Sequence, residues 1–165
     1  LIIGFFLRDF VEIYLRNQNV IIFSTIFFGV LLLLFDFLKK DRELNELNWK
    51  DSLIIGCFQI FALLPGASRS AVTIMGAFYL GFKNATALKI SFLLAIPTLC
   101  FIFIGENLAI NFQYEIGLTN LILTSLTSFL TAFFTIHFFL KLVDKIGFLP
   151  FVFYRLLLGL LLFFI

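Results

Sequence analysis

The sequence predicts an all-α integral membrane protein: a transmembrane helix bundle with one re-entrant helix–break–helix hairpin. Three observations lead there. Of 165 residues, 62% are hydrophobic and only 13% charged, with 26 phenylalanines. A soluble domain of that length has too little interior to hide so much apolar surface. The apolar residues also gather into runs near the roughly 20 residues that cross a bilayer as helix. One further apolar region, 52–82, has the wrong length for either one simple crossing or two.

Taken in order, 20–38 is the first crossing. The second is 90–104, extendable by 108–110; the third is 120–140 and the fourth 148–165. Residues 1–7 read as the tail of a helix whose start is missing. Polar connectors lie at 8–19, 39–51, 83–89, 105–119 and 141–147. No low-complexity tract or domain boundary interrupts the pattern, so 1–165 reads as a single membrane domain. Leu1 opens without a charged leader or cleavage site, so no signal peptide is expected. The lack of an initiator Met reads as the mark of a fragment or a processed chain. A net charge of +2 gives no ground for a nucleic-acid partner. Cys57 and Cys100 lie in apolar segments and are expected to be reduced packing thiols.

Region 52–82 is broken by Pro65–Gly66. Proline removes a backbone donor and clashes with the preceding turn, and glycine permits the chain to reverse. Two half-length helices remain, 52–64 and about 68–82, which is the pattern of a hairpin entering and leaving on one side. Non-helical backbone at membrane depth is tolerated where protein or a wet cavity surrounds it. Basic residues collect on cytoplasmic loops. A re-entrant hairpin puts 39–51 (Lys39, Lys40, Arg42, Lys50), 83–89 (Lys83, Lys89) and 141–147 (Lys141, Lys145) on one side. The opposite side then receives 105–119, with Glu106 and Glu115 and no Lys or Arg. The C-terminus falls outside; Arg8 and Arg16, also placed outside, run against this arrangement.

Arg69 is the one charged residue in 52–82. A charge at the bilayer centre costs about 2.5–3.5 kcal/mol on insertion scales, so function is its default reading. Ser68, Arg69 and Ser70 open the second half-helix, where free N–H groups and the positive end of the helix dipole make an anion site. Arginine grips phosphate with two parallel hydrogen bonds, which lysine cannot do. Thr73 follows one turn later on the same face. The plainer reading is that Arg69 caps carbonyls of a neighbouring helix or snorkels to an interface. Gln59, before the break, is placed to hydrogen-bond across the hairpin or to glue helices together. No Asp or Glu occurs between Asp51 and Glu106, so the site has an anion grip but no general base and no metal ligands. Ser68 or Ser70 becomes a nucleophile only with a base brought from elsewhere.

Four other features have simpler readings. His137, the one histidine, is expected at an interface or in packing, far from the hairpin tip. Thr124, Ser128, Thr131 and Thr135 share a helical face suited to close helix packing or to lining a polar path. Arg155 is read as structural, paired with a carbonyl or a lipid headgroup. Residues 39–50 are read as a solvated loop, with a headgroup role as the weaker alternative.

The stretch GCFQIFALLPGASRSAVTI, residues 56–74, resembles the second signature of the bacterial undecaprenyl-pyrophosphate phosphatases, the bacitracin-resistance family. The matching residues are Gln59, Ala62–Leu63, Pro65, Gly66, Ser68, Arg69, Ser70 and Thr73. SFLLAIP (91–97) and PFVFYRLLLGL (150–160) also resemble the family, so the likeness covers essentially the whole chain. Ala71 stands where the family usually has Gly. The family's Glu-rich motif and its Ser-Ser-Thr-Gly-His stretch, both in its first half, have no counterpart here, so the chain resembles the C-terminal part of a larger inverted-repeat protein.

The resemblance implies hydrolysis of undecaprenyl pyrophosphate to the monophosphate and inorganic phosphate, recycling the lipid carrier of cell-wall synthesis. It implies a multi-pass protein of the bacterial inner membrane with its site opening outward. Arg69, Ser68 and Ser70 would be catalytic, and Gln59, Pro65, Gly66 and Thr73 would bind substrate. A divalent cation, Mg or Ca, is a candidate cofactor with ligands mainly outside this chain. The implied partners are the polyprenyl pyrophosphate, bilayer lipid, the missing N-terminal half and, as a candidate assembly, a second copy. A transporter or flippase for a phosphorylated lipid is the rival reading, because re-entrant hairpins in inverted repeats also build transporters. A purely structural subunit would leave the buried arginine unexplained. The nucleophile and base are expected in the absent half.

Overall fold

In the computed structural model, which describes residues 11–109 and 117–164, a π-helical turn at Val11–Leu15 is followed by six α-helices. They are α1 (Gln18–Asp36), α2 (Trp49–Ile60), α3 (Arg69–Tyr79), α4 (Asn84–Ala109), α5 (Leu118–Ile146) and α6 (Leu149–Phe163). Three have the length and apolarity to cross a membrane: 18–36, 84–105 and 118–146. These correspond to the first three expected crossings. Their ends differ from the sequence reading, because α4 takes in most of 83–89 and α5 takes in 141–146. Apolar runs mark only the part of a helix suited to oil, whereas backbone hydrogen bonding carries the helix on into its polar ends. The fourth expected crossing is a shorter apolar helix of 15 residues. The expected helix tail 1–7, Arg8, and Glu115 of the 105–119 connector lie outside the described residues.

Region 52–82 forms a helical hairpin. Asn48 starts α2 with a reciprocal cap: its side chain accepts from the N–H groups of Lys50 and Asp51, and the Asp51 carboxylate accepts from Asn48 N–H at 3.1 Å. This capping box satisfies donors that the first turn otherwise leaves open. The helix tightens into a 3₁₀ turn at Phe61–Leu63 and stops before Pro65. After the break α3 returns against α2. Gly76 permits that closeness, since a Cβ there would lie 3.0 Å from the ring of Phe58.

The two outer ends of the hairpin are tied together by Arg42. Its guanidinium donates to Asp51 in the first turn of α2 (2.7 Å), to the carbonyl of Leu80 just after α3 (3.1 Å) and to that of Glu46 (2.9 Å). It also lies over the Phe82 ring at 4.3 Å. The backbones of Arg42 and Phe82 form an isolated parallel bridge, and Lys83 pairs with Glu43 at 2.5 Å.

Helix α3 is the centre of the packing, against α1, α2 and α4, and every residue from Ala71 to Phe78 is buried. Phe28 and Leu32 from α1, Ile55 from α2 and Leu88 from α4 complete this core. Helix α6 packs chiefly on α1. Helix α5 is different: among its described residues only Val143 is buried. Thr124, Ser128, Thr131 and Thr135 all stay exposed, so among the described residues no helix takes up the close packing expected of that face. Cys57 and Cys100 are free and exposed on their helices rather than packed inside, because the apolar segments that carry them turn these positions away from α3.

Candidate functional site

The break between α2 and α3 is held from two sides. On one side Gly66 sits against α1 with φ +89°; a Cβ would lie 2.4 Å from Ser24 Oγ and 2.7 Å from both the Ile21 carbonyl oxygen and Thr25 Oγ1. Only glycine combines this φ with this approach. The Ser24 hydroxyl donates to the Pro65 carbonyl. On the other side Arg155 of α6 donates from Nη2 to the carbonyls of Gly66 (2.6 Å) and Ala67 (3.1 Å). The carbonyl pairing expected of Arg155 is therefore present, and its target is the break itself. Pro65 and Gly66, expected to bind substrate, shape the turn, and their carbonyl oxygens are engaged within the protein.

Ser68 follows with φ 67° and ψ 116°, the one non-glycine residue with positive φ among those described. Such conformations cost about 1–3 kcal/mol and persist only where surroundings enforce them, most often at functional sites. Its hydroxyl caps α3 by accepting from Ala71 N–H at 3.4 Å, and it lies 3.2 Å from Ser70 Oγ. Ser68 and Ser70 are both exposed.

Arg69 is half-buried. It lines a cleft of about 280 Å³ with Gln59, Ser70, Thr73 and Ser91 and the apolar residues Phe92, Leu94, Ala95 and Leu99. Among the described residues no carboxylate or carbonyl is bonded to its guanidinium. The contrast with Arg42 and Arg155 is direct: each of those is committed to internal acceptors. The capping role for Arg69 would require such an acceptor.

Thr73 is 2% exposed. Its hydroxyl lies 3.0 Å from the carbonyl oxygens of both Arg69 and Ser70 and 2.7 Å from Ser91 Oγ of α4. It braces the first turn of α3 from beneath while lining the cleft. Gln59 does not bond across the hairpin; its Nε2 donates to Thr98 Oγ1 of α4 at 3.1 Å. Helix α4 thus supplies two site residues that sequence reasoning missed. Ser91 and Thr98 are seven apart, two helical turns, and so share a face. Ser24 and Thr25 were missed as well; the signal was a Ser-Thr pair inside the otherwise apolar 20–38.

His137 is exposed, with its ring beside Phe138, and it does not line the cleft. Among the described residues no carboxylate, imidazole or thiol lines it either. Among the described residues no three His, Cys, Asp or Glu side chains cluster as a metal site. The donor set at the cleft therefore fits an anion and does not fit a divalent cation, and no step can be derived through a metal from these residues. What the arrangement can do is grip an anion with one free guanidinium, two exposed hydroxyls and a helix N-terminus.

Known proteins are similar to this sequence. The family described as "Bacitracin resistance protein BacA" matches residues 1–161. "Undecaprenyl-diphosphatase 1" of Pseudoalteromonas translucida (strain TAC 125) is 42% identical over 161 residues, covering 96% of this chain and 60% of the relative. "Undecaprenyl-diphosphatase" of Marinobacter nauticus (strain ATCC 700491 / DSM 11845 / VT8) is 41% identical over 158 residues, covering 94% and 60%. The protein of that name from Aliivibrio salmonicida (strain LFI1238) is 44% identical over 161 residues, covering 94% and 59%. The chain spans about three-fifths of the length of these relatives. With nearly all of its residues inside the family match, the chain belongs to the bacitracin resistance BacA family.

Proposed function

We propose that this chain forms the C-terminal part of an inverted-repeat membrane enzyme that hydrolyses undecaprenyl diphosphate to the monophosphate and inorganic phosphate. Such a step returns a lipid carrier to cell-wall synthesis. The observation that carries the reading is the Arg69 guanidinium, half-buried in a cleft with no internal acceptor, at the start of α3 beside two exposed serines. The names of the relatives support the choice of a lipid diphosphate as the anion.

In this reading the Arg69 fork takes two non-bridging oxygens of the diphosphate. The hydroxyls of Ser68 and Ser70 and the open N–H groups of α3 take others. The backbone that carries these donors is held at Pro65, Gly66 and Ala67 by Ser24 and Arg155, so the donors start close to where charge develops on the phosphoryl oxygens. The new bond forms between the attacking oxygen and the terminal phosphorus, and the bridging oxygen leaves on the lipid monophosphate. Among the described residues the cleft holds no base; in this reading the attacking group, its proton acceptor and the ligands of any divalent cation are supplied by parts of the enzyme outside those residues.

The hairpin 52–82 is re-entrant in this proposal, with its ends at the cytoplasmic face of a bacterial inner membrane and the site opening outward. The Arg42 tie between the start of α2 and the end of α3 is consistent with both ends lying on one side. The test is release of inorganic phosphate from undecaprenyl diphosphate by the full-length protein in detergent. Release supports the reading. Movement of the intact lipid diphosphate across a vesicle membrane with no phosphate released would overturn it in favour of a transporter.

A further inference from the structure

The cleft beside Arg69 has two unlike ends. At one end stand the free guanidinium and Ser70. Along α4, Phe92, Leu94, Ala95 and Leu99 present an apolar wall. The polar residues of that wall are largely turned on one another: Thr73 bonds Ser91, and Gln59 bonds Thr98. A small soluble anion would gain from free donors all round it, and this wall withholds them. One free cation next to a satisfied, apolar surface instead matches an anion that carries an apolar chain.

We propose that this cleft is the subsite for the first part of the apolar chain attached to the diphosphate, and that Ala95 determines how much of that chain it admits. The inference rests on the hydrolase reading given above and adds the residues that select the substrate. At about 280 Å³ the cleft is just below the roughly 300–1,000 Å³ of pockets that take a whole drug-sized molecule. It therefore holds the chain next to the diphosphate and leaves the remainder to the bilayer. Ala95 is half-buried and carries the smallest side chain of the apolar wall, so a larger side chain there fills space the substrate needs.

The experiment uses the full-length protein with Ala95→Phe, and Leu93→Phe as control. Leu93 is 58% exposed on α4 and does not line the cleft. Each protein is assayed on undecaprenyl diphosphate and on inorganic diphosphate, which offers the same phosphoryl groups and no apolar chain. Pockets discriminate single methylenes by roughly ten- to two-hundredfold. Ala95→Phe should therefore lower kcat/KM for the long substrate by at least about tenfold, mainly through KM, because the lost contact is ground-state binding. Turnover of inorganic diphosphate should be unaffected, and Leu93→Phe should match the unaltered protein on both. An unchanged KM for the long substrate overturns the proposal. An equal loss on both substrates also overturns it, since Ala95 would then act on the headgroup site. Should Ala95→Phe fail to insert, Ala95→Met is read by the same criteria with a smaller effect. If the unaltered protein releases no phosphate from any polyprenyl diphosphate, the hydrolase reading fails and takes this inference with it. An active protein indifferent to Ala95 defeats the inference alone.

Discussion

Arg155 reaches from α6 to the carbonyl of Gly66, 89 residues earlier, and holds it at 2.6 Å. Together with its bond to the Ala67 carbonyl this fixes the backbone from which Ser68 and Arg69 project. Hydrogen bonds to charged groups are worth about 1.5–3 kcal/mol net. Arg155→Leu should therefore lower the Tm of the detergent-solubilised protein and reduce turnover. Arg155→Lys should fall between, because an ammonium keeps the charge but loses the planar fork. An unchanged Tm with a raised KM would place Arg155 on the substrate and end the clamp account.

Arg69 is the opposite case, a guanidinium without a partner among the described residues. Removing one preorganised donor to a developing oxyanion costs about 2.7–4 kcal/mol, or roughly a hundred- to a thousandfold in turnover. Arg69→Lys in the full-length protein should lose about that much and leave the Tm nearly unchanged, since no bond within the chain is broken. Ser70→Ala should lose less, because a neutral hydrogen bond is worth about 0.5–1.5 kcal/mol. Near-normal turnover by Arg69→Lys, beside an unstable Arg69→Ala, would return Arg69 to a structural role.

Ser68 separates strain from chemistry. Its φ of 67° suits glycine better than serine. Ser68→Gly relieves that strain but removes the cap to Ala71 N–H and one hydroxyl of the site. N-cap replacement by glycine costs only a few tenths of a kcal/mol. The variant should therefore match or exceed the parent Tm while turnover falls. A marked drop in Tm would show that the hydroxyl, not the surroundings, holds the turn.

Much of this was legible in the sequence because oil leaves few options. Apolar runs located α1, α4 and α5, and Pro65–Gly66 located the break. Helix ends were not legible: Asn84 already opens α4 while Lys89 still reads as loop, since helical hydrogen bonding continues where hydropathy fades. The position of Arg69 at the start of the second half-helix was legible because a lone charge in an apolar run has no other signal to hide among. Its scaffolding was not. Gln59 meets Thr98 and Thr73 meets Ser91, and these are contacts between helices whose mutual rotation no single-helix pattern specifies.

The sidedness proposed for the hairpin predicts chemical accessibility in cells. In a background with Cys57→Ala and Cys100→Ala, needed because both thiols are exposed, a cysteine placed in 105–119 should react with an impermeant thiol reagent. One placed in 39–51 should react only after the membrane is opened. The reverse pattern would invert the topology, and reaction at both sites in sealed cells would mean that 52–82 crosses the membrane.

The tie between Arg42 and Asp51 predicts how stability depends on pH. The Asp51 carboxyl is held below its ordinary value of 3.8, first by the hydrogen bond from Arg42 and further by the backbone N–H of Asn48, against an opposing cost of burial. A carboxyl lowered in the folded state binds fewer protons there than when unfolded. Its stabilisation is therefore fully present above the unfolded value and is lost as pH falls through the folded one. The Tm should be level in this respect near neutrality and decline once pH drops below about 4. Asp51→Asn should lower the Tm at pH 7, since it removes the nearer of the two carboxylates on the Arg42 guanidinium, leaving Glu46 at 3.6 Å, and weakens the cap on α2. Its disadvantage should shrink through the acid range as the parent loses the same charge. Curves for the two proteins that stay parallel from pH 7 down to pH 3 would show that the Asp51 ion pair contributes nothing and that the carbonyls of Leu80 and Glu46, with the Glu46 carboxylate, hold Arg42.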